Sequence, residues 1–204
     1  MYKILLIYLT IVGLIFCNNT CAQSEKHFKQ IITKASKVSD TLSVGYTYWW
    51  TQSGPFIGYC GEQYGFVFLG TIQQIDHTVQ NDKSIHPSQK GSIKIDEVLV
   101  ARDLKKNRYS KQKVMVSDCF YEQDLREGDQ VLVFCYEYEE NYSIPGRKSL
   151  LKVNGNKDPL IQVIKRYILS GQDALMLKEE MDLWKLHDLE TEALQLIRCK
   201  EAKN

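Results

Sequence analysis

The chain has 204 residues, of which 44% are hydrophobic and 25% are charged, so it is long enough for one domain with a sizeable core. Lysine and arginine total 26, aspartate and glutamate total 25, and the formal net charge is +1 at pH 7. This balance argues against nucleic acid as a partner, because affinity for nucleic acid comes mainly from neutralising phosphates with excess basic residues.

Residues 1–22 have the pattern of a secretory signal peptide. Lys3 precedes a nearly continuous apolar run, and small residues follow that run up to Ala22. The run is shorter than the roughly 20 residues that span a bilayer, so we expect cleavage after Ala22, export to the periplasm or medium, and no membrane span afterwards. The alternatives are a retained membrane anchor and a lipoprotein attached through Cys17, although the bulky Phe16 before that cysteine disfavours lipidation.

The cysteines indicate disulfide bonds. Of the six cysteines, cleavage would remove Cys17 and Cys21 and leave four, an even number that fits two disulfides in an exported protein. The sequence leaves all three pairings open, and buried free thiols are the alternative. No two of the four are close in the sequence, which argues against a metal site. The disulfide candidates are Cys60, Cys119, Cys135 and Cys199.

Two elements are predicted before the first glycine-rich stretch. Residues 23–42 form a helical lead-in, since apolar residues recur at helical spacing between lysines from Ser24 to Val38. Ser43 to Trp50 then changes to the alternating period of a strand, which the turn residues of QSGPFIG end.

Residues 43–156 are predicted to form a β-barrel. In FVFLGTIQQI, Gly70 indicates a bulge or a close approach of two backbones. In GSIKIDEVLVA the apolar residues change from one face of the strand to the other near Asp96 and Glu97, which predicts a second bulge. The segment QVLVFCYEY is apolar on both faces for six residues, so it should be a central strand. The five predicted barrel strands are Phe66–Ile75, Gly91–Ala101, Lys113–Ser117, Gln130–Tyr138 and roughly Lys148–Val153.

Residues 157–204 are predicted to be helices packed on the barrel. The Asp-Pro pair at 158–159 forms an N-cap and first turn, and Gly171 stands where a C-cap glycine belongs. Further helices are predicted from Asp173 to Leu186 and from Asp188 through Cys199. The fold class is therefore mainly β with helical additions.

The order and spacing of these strands resemble an OB-fold, a five-stranded Greek-key barrel. More narrowly, FVFLGTI, KIDEVLVA, SDCF and EGDQVLVFCY resemble the secreted OB-fold group that contains the tissue inhibitors of metalloproteinases and the netrin-like modules. The resemblance covers about Cys60 to Val153 and implies a secreted barrel. Those inhibitors chelate zinc through a cysteine at the mature N-terminus, whereas this mature chain should begin near Gln23. The resemblance therefore does not imply the inhibitory mechanism. It also does not extend to the helical tail, for which that group has no matching segment.

No catalytic residue, metal ligand or cofactor is predicted. None of the four histidines has a diagnostic neighbourhood such as GxSxG or HExxH. A generic metal-binding alternative combines His77 and His86 with Asp76 and Asp82. The histidines are His27, His77, His86 and His187.

An acidic cluster directly follows the predicted central strand. Glu137, Glu139 and Glu140 alternate with tyrosines there. The cluster is either a cation-attracting or partner-binding rim, or a set of solvent-facing glutamates between packed tyrosines.

The stretch YTYWWTQSGPFIGYC is the main candidate for a binding surface. Exposed aromatic side chains bind protein partners as hot spots and sugars by stacking, although the same residues could instead be packed inside. We therefore predict a noncatalytic binding module for a protein or peptide partner. The alternatives are a glycan-binding module that uses Trp49 and Trp50, and an enzyme of unidentified class. The candidate binding residues are Trp49, Trp50, Phe56 and Tyr59.

Overall fold

The structure is a computed structural model that describes residues 39–47, 53–78 and 88–203. The predicted signal peptide and the helix of residues 24–38 lie outside this part. The strands are β1 (Thr41–Ser43), β2 (Gly45–Thr47), β3 (Tyr64–Ile75), β4 (Gly91–Ala101), β5 (Val114–Ser117), β6 (Gln130–Tyr138), β7 (Asn141–Pro145) and β8 (Leu150–Val153). The helices are α1 (Pro159–Leu169), α2 (Met181–Leu186) and α3 (Glu190–Glu201), with 3-10 helices at Arg147–Ser149 and Ala174–Glu180.

The described strands form one mixed sheet that is nearly closed into a barrel. β3 pairs antiparallel with β4 and β6, β5 extends the sheet beyond β4, and β7 and β8 pair with β6. Val44 alone separates β1 from β2, and these two strands pair in parallel with β5 and β7, respectively. The segment therefore lies between the two ends of the sheet, and residues 41–42, predicted as the end of the helical lead-in, are extended instead.

Strand β6 is central, as its two apolar faces predict. It pairs with three strands, and alternate side chains enter two separate hydrophobic cores. One core fills the barrel and the other lies between the sheet and the helices. Val131, Val133 and Cys135 belong to the barrel core, and Leu132, Phe134 and Tyr136 belong to the core under the helices.

The two predicted irregularities in β3 and β4 are confirmed. A Cβ atom at Gly70 would lie 2.5 Å from a carbonyl oxygen of β4, so only glycine permits this approach of the two backbones. Leu69 pairs with Glu97, but the next residue, Gly70, pairs with Ile95. Asp96 is therefore the additional residue of a bulge in β4.

The predicted number of barrel strands, five, was too low, since the described residues form eight strands. The fifth predicted strand corresponds to β8, and the sequence did not indicate β7. A two-residue turn at Glu139 and Glu140 joins β6 to β7, with φ values of 49° and 66°. Hairpin turns of this kind favour asparagine and glycine, so two glutamates hide the turn from sequence inspection.

The helical segment confirms its first predicted helix and corrects the other two. The Asp158 carboxylate accepts a hydrogen bond from the N–H of Leu160 at 2.9 Å and caps α1. Asp173 caps a 3-10 helix rather than an α-helix. Asp188 has a φ of 54°, so α3 begins after it, at Glu190.

These helices cover the outer face of the sheet. Trp184 of α2 is fully buried there, and its indole N–H donates to the carbonyl oxygen of Leu177 at 3.0 Å. Within the described part of the chain, none of the helices has the length and apolarity needed to cross a membrane.

Candidate functional site

The structure separates the four candidate aromatic residues. Trp49 and Trp50 lie outside the described residues, so a glycan site built on them stays a prediction. Phe56 is 2% exposed, and its ring packs edge-to-face on Trp184 and Tyr167 at centroid distances of 4.9 and 5.6 Å. Its assignment to an exposed platform was therefore wrong, because the helices cover it. Tyr59, by contrast, is 78% exposed.

Residues 53–57 are fixed to the sheet from within. The carbonyl oxygen of Pro55 accepts hydrogen bonds from the hydroxyls of Tyr64 and Tyr136, at 2.9 and 2.8 Å. Pro55 is itself buried, so these bonds satisfy an acceptor that water does not reach. Burial raises the pKa of both tyrosines well above the usual value. They are structural donors rather than acid–base groups.

Tyr59 projects from a turn that several contacts hold in place. Gly58 and Gly61 flank the turn with φ values of 80° and 85°, which side chains other than glycine rarely adopt. The N–H of Glu62 donates to the carbonyl oxygen of Ile57 at 2.9 Å and closes the turn. The exposed ring is therefore presented on an ordered backbone.

A disulfide bond links this turn to the last helix. Cys60, next to Tyr59, is bonded to Cys199 of α3 across a sequence separation of 139 residues, with a Cα–Cα distance of 5.2 Å. This confirms one of the predicted disulfides and identifies its pairing. The side chain of Gln172 adds a second link, since it donates to the carbonyl oxygen of Glu62 and accepts from the N–H of Tyr64, both at 3.1 Å.

The prediction of a second disulfide is not fulfilled. Cys119 and Cys135 are free thiols that lie fully buried in the barrel core. Burial raises the pKa of Cys119 to about 12 and raises that of Cys135 well above its usual value. Because the thiolate is the nucleophile, neither side chain is suited to covalent catalysis.

The histidines give no metal centre in the described residues. No group of three or more histidine, cysteine or acidic side chains is placed to hold a metal ion in that part of the chain. His77 follows the end of β3 and is exposed, while His187 follows α2 and is half-buried. The other members of the predicted sets, His27, His86 and Asp82, lie outside the described residues.

The acidic cluster is an edge of the β6–β7 hairpin. Glu137 pairs with Arg102 at 3.7 Å, and Glu140 pairs with Lys105 at 2.9 Å. Glu139 is exposed at the turn. Of the neighbouring tyrosines, Tyr136 and Tyr142 are buried and Tyr138 is half-buried. The arrangement matches solvent-facing glutamates between packed tyrosines.

Two of the grooves on the described part of the chain lie beside the β1–β2 segment. One, of about 460 Å³, lies beside β5 and is lined by Asp76, Lys90, Ser117 and Asp118 among others. The other, of about 550 Å³, lies between the β1–β2 segment and the β6–β7 turn. Its side chains come from three distant parts of the sequence, so no local motif could have identified it.

No protein-family model matches the chain, and no curated protein matches it.

Proposed function

We propose that the protein is an exported, noncatalytic binding module whose partner is a protein or peptide. The observation that carries this proposal is Tyr59, an aromatic side chain that is 78% exposed on a disulfide-linked turn. Tyrosine is enriched among the residues that dominate binding energy at protein interfaces. A ring held on an ordered turn also loses little conformational entropy when a partner binds.

A second exposed apolar side chain lies on the helix that is joined to the Tyr59 turn. Gln172 draws the chain that follows α1 against Glu62, and so brings the C-terminal end of that helix to the turn. Leu169, the last residue of α1, is 85% exposed. An exposed apolar side chain on a helix that is joined to the turn supports an interface that extends beyond Tyr59.

Export is supported by the signal-like residues 1–22 and by the Cys60–Cys199 disulfide, since disulfides persist in oxidising compartments. A noncatalytic role is supported by the buried thiols, whose raised pKa values keep them protonated at neutral pH. We propose further that the barrel is OB-fold-like, and the order of strands in the sheet supports this. In this barrel the β1–β2 segment lies between β5 and β7, the strands at the two ends of the sheet.

Site-specific photo-crosslinking in the cells that produce the protein tests the proposed interface. A photoreactive phenylalanine analogue replaces Tyr59 in one variant and Leu186 in a matched control, because Leu186 is 76% exposed at the end of α2. The proposal expects a discrete protein or peptide adduct from position 59 that is absent from position 186. Equal adduct patterns from the two positions, or no adduct from position 59, would refute it.

A further inference from the structure

The groove between the β1–β2 segment and the β6–β7 turn is built like a small-molecule site. Its volume of about 550 Å³ lies in the range of such sites. The loop from β4 to β5 completes its lining. The side chains that carry its chemistry are Tyr46, Asn107, Gln112, Tyr138 and Asn141.

The protein itself orients the amide groups of this groove. The amide nitrogen of Asn107 donates to the carbonyl oxygen of Ser43 at 2.9 Å, and that of Asn141 donates to the carbonyl oxygen of Glu139 at 3.1 Å. Neither amide oxygen has a hydrogen-bond partner among the described residues, and each retains a second N–H. Gln112 is held by two backbone groups of its own loop. The groove therefore offers planar donors and acceptors whose positions are set in advance.

The tyrosines supply flat apolar surface beside these amides. Tyr46 and Tyr138 line the groove and are half-buried, so part of each side chain is accessible. Tyr142 also lines it, but this side chain is buried and its hydroxyl donates to the carbonyl oxygen of Arg102 at 2.5 Å. Tyr142 is thus a fixed part of the wall. Aromatic faces of this kind pack against the C–H groups of a pyranose ring.

The charge of the lining points to an uncharged ligand. Lys106 and Glu139 are the charged residues of the lining, and their formal charges cancel. The groove beside β5 differs, since Asp76 and Asp118 outnumber Lys90 there. A neutral lining does not favour the binding of an ion, whereas fixed amides and aromatic faces suit a ligand that has many hydroxyls and an apolar face.

We propose that the groove lined by Tyr46, Asn107, Gln112, Tyr138 and Asn141 binds a short, neutral oligosaccharide of pyranose units. The equatorial hydroxyls of such a ligand reach the amides, while its ring faces contact the tyrosines. The site is separate from the Tyr59 turn and does not rest on the proposed protein partner.

Titration of the ¹⁵N-labelled, oxidised full chain with cellotriose, followed by two-dimensional NMR, tests this site. The expected result is saturable shifts confined to residues 41–47, 106–112 and 138–143. Tyr138→Leu and Asn141→Ala should each weaken binding by about tenfold or more. Tyr121→Leu and Asn154→Ala are matched controls outside the groove and should bind as the wild type does.

Spectra of each variant without the sugar show whether its fold is intact, so a loss of binding can be distinguished from a loss of structure. A Tyr59→Ala variant should bind cellotriose normally, so failure of the protein-partner proposal leaves this one standing. The oligosaccharide proposal is overturned by shifts that do not saturate up to about 10 mM sugar, by shifts centred elsewhere, or by tighter binding of trigalacturonic acid, a charged trisaccharide.

Discussion

Tyr64 and Tyr136 donate their hydroxyl hydrogen bonds to one shared acceptor, the carbonyl oxygen of Pro55, at 2.9 and 2.8 Å. Either tyrosine alone can satisfy this buried oxygen. Tyr64→Phe and Tyr136→Phe should therefore each lower the free energy of unfolding by only about 1 kcal/mol. The double variant should lose more than the sum, because it leaves a buried acceptor unpaired.

Urea unfolding of the two single variants and the double variant measures this coupling. Tyr59→Phe is the matched control, since its hydroxyl projects from a side chain that is 78% exposed, and it should leave stability unchanged. Strictly additive losses would mean that the two hydroxyls do not share the acceptor.

The protein should lose stability at alkaline pH because of its buried tyrosines. Burial raises the pKa of Tyr167 to about 12, against about 10 in an unfolded chain. The native state therefore keeps a proton on Tyr167 that the unfolded state releases, so the contribution of this residue to stability is constant below pH 10 and falls between pH 10 and 12. For Tyr167 alone the loss is about 2 to 3 kcal/mol. Urea unfolding at pH 8 to 12 measures it, and Tyr167→Phe should make the decline less steep; an unchanged decline in this variant would contradict the assignment.

Phe56 and Tyr59 should respond oppositely to truncation although they are three positions apart. Phe56→Ala removes a ring that packs on Trp184 and Tyr167, so it should lower the free energy of unfolding by about 3 to 5 kcal/mol. Tyr59→Ala should change it by less than about 0.5 kcal/mol because the side chain is exposed. Thermal and urea denaturation of both variants compare the two effects, and comparable losses would contradict the packing described.

Reduction of the disulfide should destabilise the fold strongly. The Cys60–Cys199 bond closes a long loop, with a sequence separation of 139 residues, so its loss should cost about 2 to 5 kcal/mol. A Cys60→Ser, Cys199→Ser variant should match the reduced wild type in urea unfolding. Dithiothreitol should have no further effect on this variant, and a wild type that is insensitive to the reductant would refute the prediction.

Cys119 and Cys135 should resist thiol reagents in the native protein. Both are buried, and their raised pKa values leave little thiolate at neutral pH. A maleimide should label them only after denaturation, as intact-mass spectrometry under non-reducing conditions would show. Rapid labelling of the folded protein, or a mass that indicates two disulfides, would contradict the structure.

The sequence predicted the features that depend on local geometry. Gly70 indicated a close approach of two backbones, and the pattern around Asp96 indicated a bulge. The two apolar faces of β6 indicated a strand that is covered on both sides. The cap at Asp158 was also correct. Each of these features follows from the side chains within a few residues.

Features that depend on unusual turn residues or on distant contacts were not predictable. The turn at Glu139 and Glu140 lacks the usual glycine or asparagine, which concealed β7. Residues 53–61 have no regular period, so nothing in the sequence distinguished the buried Phe56 from the exposed Tyr59. The side chains that line the 550 Å³ groove come together only when the sheet curves.

The β1–β2 segment ties the completion of the fold to the order of synthesis. Its partners are β5 and β7, which the ribosome makes much later. The segment must therefore wait unpaired until Pro145 has emerged, and the Cys60 turn must wait for Cys199. Folding that depends on such distant pairing is slow. A chain interrupted before β7 would keep an open sheet edge, which makes early termination products targets for proteases and aggregation.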